Sequence, residues 1–300
     1  MDIITEYRNE NTKNIDIIST LEMVHEMNNE DKLVALAVED ESENIANAID
    51  LISKQVLKGG RLFYFGAGTS GRLGVLDASE CPPTFSTEPE LIQGIIAGGD
   101  KALRTAVEGA EDNYDLGFKD AEILTANDVA VVISASGNPK YLLGVLAKAE
   151  ELGVKTIGVT CNSTGKVADE AGIVICPEVG PEVIAGSSRL KAGTAQKMIL
   201  NMLTTGTMIK IGKTYENFMI DLKASNEKLK DRAIRIVSEI AEVSNAEALA
   251  KLMQCSWEIK TAIVSFKCGV DANKARLELK RHNGVLRKVM KGLKSADFRP

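Results

Sequence analysis

Histidine and long apolar runs are scarce in this chain. Of its 300 residues two are histidine, His25 and His282, and two isolated imidazoles indicate neither a metal site nor a histidine-based triad. No charge-free apolar run approaches the roughly 20 residues of a membrane-spanning helix. The first 20 residues lack the basic start and the apolar centre of a signal peptide. We therefore expect a cytoplasmic protein without a metal ion.

Cysteine pairs and an excess of basic residues are also missing. The five cysteines are odd in number and scattered, which predicts reduced thiols and argues against a zinc site or a secreted disulfide scaffold. Lys and Arg number 36 against 42 Asp and Glu, and the net charge of −6 argues against nucleic acid or a membrane surface as the main partner. An anionic ligand would therefore need a local basic pocket.

The hydrophobic content, 44%, is enough for a full core, and the chain begins with helical signals. Ser19 and Glu22 have the spacing of a capping box. A second helix is predicted over residues 31–58, because apolar residues recur there on one face and two glycines follow at 59–60. These two helices predict an N-terminal helical arm.

After residue 59 the hydrophobic period changes. Short apolar runs alternate with helical segments, and most of the runs end in Gly, Ser, Thr or Asn, which is typical of an α/β fold with a doubly wound parallel sheet. Ligands of such sheets bind at the carboxyl ends of the strands. The predicted strands lie at residues 62–65, 92–97, 129–133, 156–160 and 173–176.

Beyond residue 225 strand signals vanish and short amphipathic helices are predicted. The sequence therefore predicts three parts: a helical arm over 1–58, a parallel α/β domain over 59–224 and a small helical subdomain over 225–300. The predicted helices of the last part lie at residues 228–243, 246–253, 257–268 and 271–280.

Residues 180–197 place hydroxyls, two cations and free backbone amides where a long helix begins. Ser187 and Ser188 are predicted to cap this helix, with Arg189 and Lys191 in its first turn. Cations there oppose the helix dipole unless an anion is bound, so the segment predicts a phosphate site. The alternative is a plain capped helix with solvated basic residues.

Two further loops follow predicted strands. Residues 66–71 satisfy the G-x-G-x-x-G pattern of a dinucleotide fold, but Glu88 and Glu90 stand at the wrong end of the second strand to bind a ribose. Thr69 and Ser70 instead favour a compact phosphate or sugar, and the polar loop 134–138 follows the third strand. Three such loops at one sheet edge favour a phosphosugar over a nucleotide.

Glu80 and Glu111 are candidate acid–base residues. Glu80 is predicted to end the helix after the glycine loop, where two prolines follow, and Glu111 to lie late in a helix after Gly98-Gly99. Spacing alone favours two solvated carboxylates at helix ends. The neighbouring acids are equally available by this criterion: Asp77, Glu108 and Asp112.

Together, the segments 66–74, 77–83, 107–112 and 180–197 closely resemble the N-acetylmuramic acid 6-phosphate etherase family, and the likeness covers nearly the whole chain. The resemblance implies a sugar isomerase (SIS) domain, a homodimer, and cleavage of the lactyl ether of N-acetylmuramic acid 6-phosphate to N-acetylglucosamine 6-phosphate and D-lactate. It implies no metal or cofactor. Segment 180–197 is also similar to the glucokinase regulatory protein.

The resemblance also implies roles for individual residues. Glu80 matches the family's acid at the lactyl oxygen and Glu111 its base at carbon-2, the pair being better supported than the order of roles. Two alternatives stay open: a non-catalytic phosphosugar sensor and a phosphosugar isomerase. Regulators that sense phosphosugars usually carry a basic DNA-binding segment, and the acidic segment 28–31 offers none. The expected phosphate- and sugar-binding residues are Gly68, Thr69, Ser70, Ser134, Ser136, Gly137, Glu182, Ser187, Ser188, Arg189 and Lys191.

Overall fold

The computed structural model describes residues 6–224 and 226–296, which form two compact units. The first unit runs from the start of the described chain to Ser79 and from Pro89 to Thr207, and the second comprises Glu80–Glu88 and the chain from Met208 on. Among the described helices none is long and apolar enough to cross a membrane. The predicted domain boundaries at 58/59 and 224/225 stay predictions.

Two helices open the first unit: α1, Thr20–Asp40, and α2, Ser42–Val56. The predicted capping box is confirmed, since the Ser19 side chain accepts from the Glu22 amide and the Glu22 side chain accepts from the Ser19 amide. The prediction that a second helix starts at residue 31 is wrong. The break falls at Glu41 within an acidic run, where carboxylates oppose the end of α1 but favour the start of α2.

The predicted parallel sheet is confirmed. Its strand order is β2-β1-β3-β4-β5, and every neighbouring pair is parallel. Strands β1 and β3 are buried along their whole length, as continuous apolar runs predict for central strands covered on both faces. The strands are β1, Leu62–Gly66; β2, Ile92–Ile96; β3, Val129–Ser134; β4, Lys155–Thr160; and β5, Ile173–Ile175.

Helices follow the strands and cover the sheet. Glycines let the helix after β1 pack closely against the sheet. A Cβ on Gly94 of β2 would lie 2.5 Å from the Val75 Cα, and one on Gly71 would lie 2.6 Å from the Gly66 carbonyl oxygen. The glycine loop therefore lets a helix begin directly against β1. The helices after the strands are α3, Gly68–Phe85; α4, Tyr114–Asp120; α5, Lys140–Glu151; α6, Lys166–Glu170; and α7, Lys191–Lys210.

Five helices of the second unit surround their own apolar core. The four helices predicted after residue 225 are confirmed within two residues at each end, and side-chain caps at Asn226, Ser244 and Asp271 explain where three of them begin. A short hairpin and a fifth helix had no clear sequence signal. These elements are β6, Thr214–Tyr215; β7, Phe218–Met219; α8, Glu227–Ala241; α9, Asn245–Gln254; α10, Ile259–Cys268; α11, Ala272–Arg281; and α12, Leu286–Ala296.

Candidate active site

A cavity of about 310 Å³ lies beyond the carboxyl ends of β1 and β3, which is where ligands of parallel sheets bind. We call it the serine cavity. It brings together seven of the residues predicted from sequence: Gly68, Thr69, Ser70, Glu111, Ser134, Ser136 and Ser188. The rest of its lining comprises Glu6, Ala67, Ile133, Ala135 and Pro139.

The glycine loop contributes the start of α3 to this cavity. Gly68, Thr69 and Ser70 are the first three residues of the helix, so their backbone N–H groups have no partner within it. Gly68 takes φ +54°, which lets the chain turn into the helix. The Ser70 hydroxyl donates to Gln196 Oε1 at 2.9 Å and is therefore held in place. Backbone N–H groups at such a helix start are suited to bind an anion, and that they bind one here stays a prediction.

The second loop is held by its own hydrogen bonds. Ser134 Oγ accepts from the Gly137 amide at 3.0 Å, and the Ser136 carbonyl accepts from Asn162 Nδ2 at 2.8 Å. Gly137 takes φ +72° and passes so close to Thr160 that a Cβ would lie 2.9 Å from its hydroxyl. Gly137 therefore shapes the loop, while the two serines line the cavity.

The third loop differs from its prediction. Helix α7 begins at Lys191, so the predicted helix start, with Ser187 or Ser188 as its cap and Arg189 in its first turn, is wrong. Glu182 caps the helix instead, since its carboxylate accepts from the amides of Lys191 and Ala192 at 2.8 and 3.0 Å. Glu182 lies nine positions before Lys191, so local spacing does not show it as a cap.

Glu182 is completely buried, and this burial raises the pKa of its carboxyl, while the two backbone hydrogen bonds act in the opposite direction. Its oxygens are engaged by the helix start. Ser188 lies in the loop between Glu182 and the start of α7, and it lines the serine cavity. Glu182 thus fixes the start of α7, and that it binds the phosphate or sugar stays a prediction.

Lys191 is 1% exposed and lies in a buried ion pair. Its Nζ donates to Glu30 Oε2 at 2.6 Å, and Asn11 Nδ2 donates to Glu30 Oε1 at 2.9 Å. The Lys191 amine is therefore paired with a carboxylate of α1. Neither Lys191 nor the exposed Arg189 belongs to the serine cavity lining. That Arg189 binds the phosphate stays a prediction.

The first segment of the described chain is tied to the third loop. Asn9 Nδ2 donates to the Pro181 carbonyl at 3.2 Å, and Thr12 Oγ1 donates to the Val183 carbonyl at 2.8 Å in a buried hydrogen bond. This segment brings Glu6 to the cavity, where Gly186 leaves room for it: a Cβ there would lie 3.0 Å from Glu6 Oε2. No sequence signal pointed to Glu6.

Glu111 lies in a segment of turns, so the prediction of a helix around it is wrong. A short 3₁₀ turn, Asp100–Leu103, follows the glycines after β2, and Gly109 takes φ +72°, a backbone conformation that interrupts a helix. Glu111 lines the serine cavity and also a second cavity of about 270 Å³, which contains Arg72. We call the second one the arginine cavity.

Glu80 lies on the exposed face of α3, in the part of that helix that belongs to the second unit. The prediction that the helix ends at Glu80 is wrong, since α3 continues through Pro82 and Pro83 to Phe85. The Ser86 amide donates to the Pro82 carbonyl at 3.0 Å, which closes the last turn. The predicted acid role of Glu80 stays a prediction.

Three family models match this chain. The glucokinase regulatory protein N-terminal SIS domain matches residues 44–150, the SIS domain matches residues 103–206, and the C-terminal lid domain of glucokinase regulatory protein matches residues 216–266. A solved phosphoheptose isomerase from Neisseria gonorrhoeae is 18% identical, with a TM-score of 0.50 over 63% of this chain and 98% of that one. This likeness shows the SIS fold.

Curated relatives cover almost the full length of this chain. A protein of Clostridium beijerinckii named N-acetylmuramic acid 6-phosphate etherase is 51% identical over 96% of this chain and 95% of its own length. Proteins of the same name from Vibrio atlanticus and Yersinia pestis are 48% and 50% identical, each over 96% of this chain. The chain therefore belongs to the N-acetylmuramic acid 6-phosphate etherase family.

Proposed function

We propose that this protein cleaves the lactyl ether of N-acetylmuramic acid 6-phosphate, giving N-acetylglucosamine 6-phosphate and D-lactate. The observation that carries the proposal is the convergence of three polar loops and Glu111 on one cavity, in a chain about half identical to proteins named for this activity. The protein is accordingly a carbon–oxygen lyase.

The serine cavity suits a sugar phosphate. Its lining supplies four hydroxyl side chains besides Ser70, whose proton is donated to Gln196, and the first backbone amides of α3, and such groups bind phosphate without needing a cation. We assign the phosphate to the serine cavity lining; the five hydroxyl residues are Thr69, Ser70, Ser134, Ser136 and Ser188.

The reaction requires a base at carbon-2 and an acid at the lactyl oxygen. In the ring-opened aldehyde the carbonyl acidifies the carbon-2 proton, which a carboxylate removes while hydrogen-bond donors stabilise the enolate. The bond from carbon-3 to the lactyl oxygen then breaks and that oxygen takes a proton. Water adds to the resulting unsaturated aldehyde at carbon-3. We assign the base role to Glu111 and the acid role to Glu80.

Incubation with N-acetylmuramic acid 6-phosphate in H₂¹⁸O tests this function. We expect D-lactate to be released with its original oxygen, because the carbon-3 bond breaks, and ¹⁸O to appear on carbon-3 of the sugar product. A phosphosugar isomerase would convert an aldose phosphate without releasing lactate, and a sensor would bind the sugar unchanged. Either of those outcomes would overturn the proposal.

Thr69→Val tests the phosphate assignment, because valine keeps the shape of the side chain but removes a hydroxyl from the serine cavity. A hydrogen bond to a charged group contributes about 1.5–3 kcal/mol, so we expect KM to rise roughly 10- to 100-fold. Turnover should change little if this contact is equally strong along the reaction path. Thr194→Val is the matched control, since the Thr194 hydroxyl donates to the Leu190 carbonyl within the chain. Equal KM values for the two variants would refute the assignment.

We propose that the protein is a homodimer. Helices α1, α2 and the part of α7 in the first unit enclose a groove of about 750 Å³ with apolar walls, including Val38, Ile45 and Met198. Met202 in this groove is 41% exposed, and Leu36 of α1 is 58% exposed. An apolar surface of this kind favours association with a second copy.

Light scattering at micromolar concentration checks the association. We expect the mass of a dimer for the unmodified protein and a shift toward monomer for Met202→Glu, which places a charge in the groove. Met253→Glu is the control, because Met253 is 64% exposed in the second unit. A monomer for the unmodified protein would contradict the proposal.

We also propose a cytoplasmic location. The proposed substrate carries a phosphate ester and a carboxylate, and charged groups cross a lipid bilayer at high cost, so such a sugar stays in the compartment in which it is phosphorylated. Cell fractionation followed by the lactate assay tests this location.

A further inference from the structure

The arginine cavity adjoins the serine cavity. The two linings share Ala67, Gly68 and Glu111, so a ligand in the serine cavity has the second cavity beside it. The proposed function leaves this second space of about 270 Å³ without an occupant. It holds several times the roughly 30 Å³ that one water molecule occupies, which leaves room for a three-carbon acid.

Arg72 is the cationic side chain of this cavity lining, and it is held in a fixed orientation. Its Nε donates to the Leu103 carbonyl at 3.0 Å, and its Nη2 donates to the Ala102 carbonyl at 2.7 Å. Among the described residues none accepts a hydrogen bond from Nη1. A guanidinium that is half-buried and already oriented binds a carboxylate with little further loss of side-chain freedom.

The proposed substrate carries two anionic groups at different positions. Its phosphate lies on carbon-6, and its lactyl carboxylate is attached through oxygen to carbon-3. The serine cavity offers neutral hydroxyl and amide donors, while the arginine cavity offers a cation. Glu111 lines both cavities, so a sugar that spans them has its reacting carbons beside this carboxylate.

We propose that the arginine cavity binds the lactyl carboxylate and that Arg72 is the residue that selects the lactyl-bearing sugar. This inference rests on the proposed function and adds a specificity residue to it. Glu108, Glu111 and Asp112 also line the cavity, and because all three are exposed, water weakens their repulsion of an anion without removing it. Arg72 therefore determines which ligand is accepted, since without its charge these acids leave the cavity unfavourable to a carboxylate.

Comparison of substrate and product tests the inference, because the product sugar keeps the phosphate and lacks the carboxylate. We expect Arg72→Gln to raise KM for N-acetylmuramic acid 6-phosphate about 10- to 100-fold, as the loss of a charge-assisted hydrogen bond implies. The inhibition constant of N-acetylglucosamine 6-phosphate should stay unchanged. Arg104→Gln is the control, since Arg104 is exposed just after the same 3₁₀ turn and lies outside both linings. Equal losses for substrate and product would overturn the inference and assign Arg72 a structural role.

A modified ligand gives a second test, whose first arm uses the unmodified protein alone. In the unmodified protein, the substrate analogue whose lactyl carboxylate is an amide should bind about 10- to 100-fold more weakly than the acid. Arg72→Gln should bind the acid and the amide alike. Equal binding of both by the unmodified protein would overturn the inference. If the unmodified protein releases no lactate, the proposed function fails, while calorimetric titration with the two ligands still decides whether Arg72 recognises the carboxylate.

Discussion

Glu111→Gln is expected to suppress both D-lactate release and exchange of the carbon-2 proton with solvent deuterium. Positioned acids and bases contribute about 10²- to 10⁴-fold each, so we expect a fall in turnover of this size. Glu80→Gln should lower lactate release by a comparable factor but keep the exchange. The reason is that proton abstraction precedes cleavage, so removing the acid leaves a poor leaving group without preventing the earlier step.

Nuclear magnetic resonance of the sugar in deuterium oxide measures the exchange, and an enzymatic assay measures lactate. Glu90→Gln is the control for the amide substitution, since Glu90 is an exposed carboxylate of the first unit outside both cavity linings. Exchange lost in Glu80→Gln but kept in Glu111→Gln would reverse the two roles. Full lactate release by both variants would remove both carboxylates from the mechanism.

Lys191→Ala is expected to destabilise the first unit by about 3–5 kcal/mol, because it leaves a buried carboxylate without its cation. Glu30 is 4% exposed and lies 2.6 Å from the Lys191 amine. The variant also loosens the contact between α1 and the start of α7, next to the loop that carries Ser188. Thermal and urea unfolding measure the loss.

A variant that lacks both charges distinguishes the effect of an unpaired buried charge on stability from the effect of lost side-chain packing. Lys191→Met combined with Glu30→Gln should recover most of the lost stability, because no buried charge remains and the glutamine still accepts from Asn11. Lys13→Ala is the control for an exposed pair with Glu10 and should change stability by ~0–1 kcal/mol. A double variant as unstable as Lys191→Ala would show that an unpaired buried carboxylate is not the cause of the loss, since methionine keeps most of the packing of the lysine stem.

The same ion pair predicts a pH dependence. Burial raises the pKa of the Glu30 carboxyl, but the hydrogen bonds from Asn11 and Lys191 outweigh it, so this pKa lies below its ordinary value of 4.5. A lowered carboxyl pKa contributes stability that is complete above the ordinary value and is lost as pH falls through the folded-state value. Unfolding of the unmodified protein should therefore depend on pH below 4.5 more steeply than that of Glu30→Gln.

Much of the fold could be predicted because local patterns encode it. The strands are short and rich in apolar residues, continuously so in β3, and all five predicted strands lie within one residue of the observed ones at each end. The capping box at Ser19 and the caps at Ser244 and Asp271 are local hydrogen-bond motifs, which explains why those helix starts follow from the sequence. The break at Glu41 was missed because it depends on the balance of charges at two helix ends.

The site was predicted in part. Hydroxyl residues after β1 and β3 lie in one cavity because parallel strands end at the same edge. The role of Lys191 could not be predicted from its neighbours, since its partner Glu30 is 161 positions away in the chain. Glu182 was expected at the phosphate, and the structure engages its carboxylate with the amides at the start of α7.

The sequence by itself determined the parallel α/β fold, the three polar loops and the family, because each depends on residue types at short spacings, while the two candidate glutamates came from the family resemblance. Only the tertiary structure decided which of these residues share a cavity. It grouped Glu111 with the serine loops, placed Arg72 in the cavity beside them and buried Lys191 against Glu30. The physical reason is that burial and ion pairing are properties of packed surfaces, which join residues far apart in the chain.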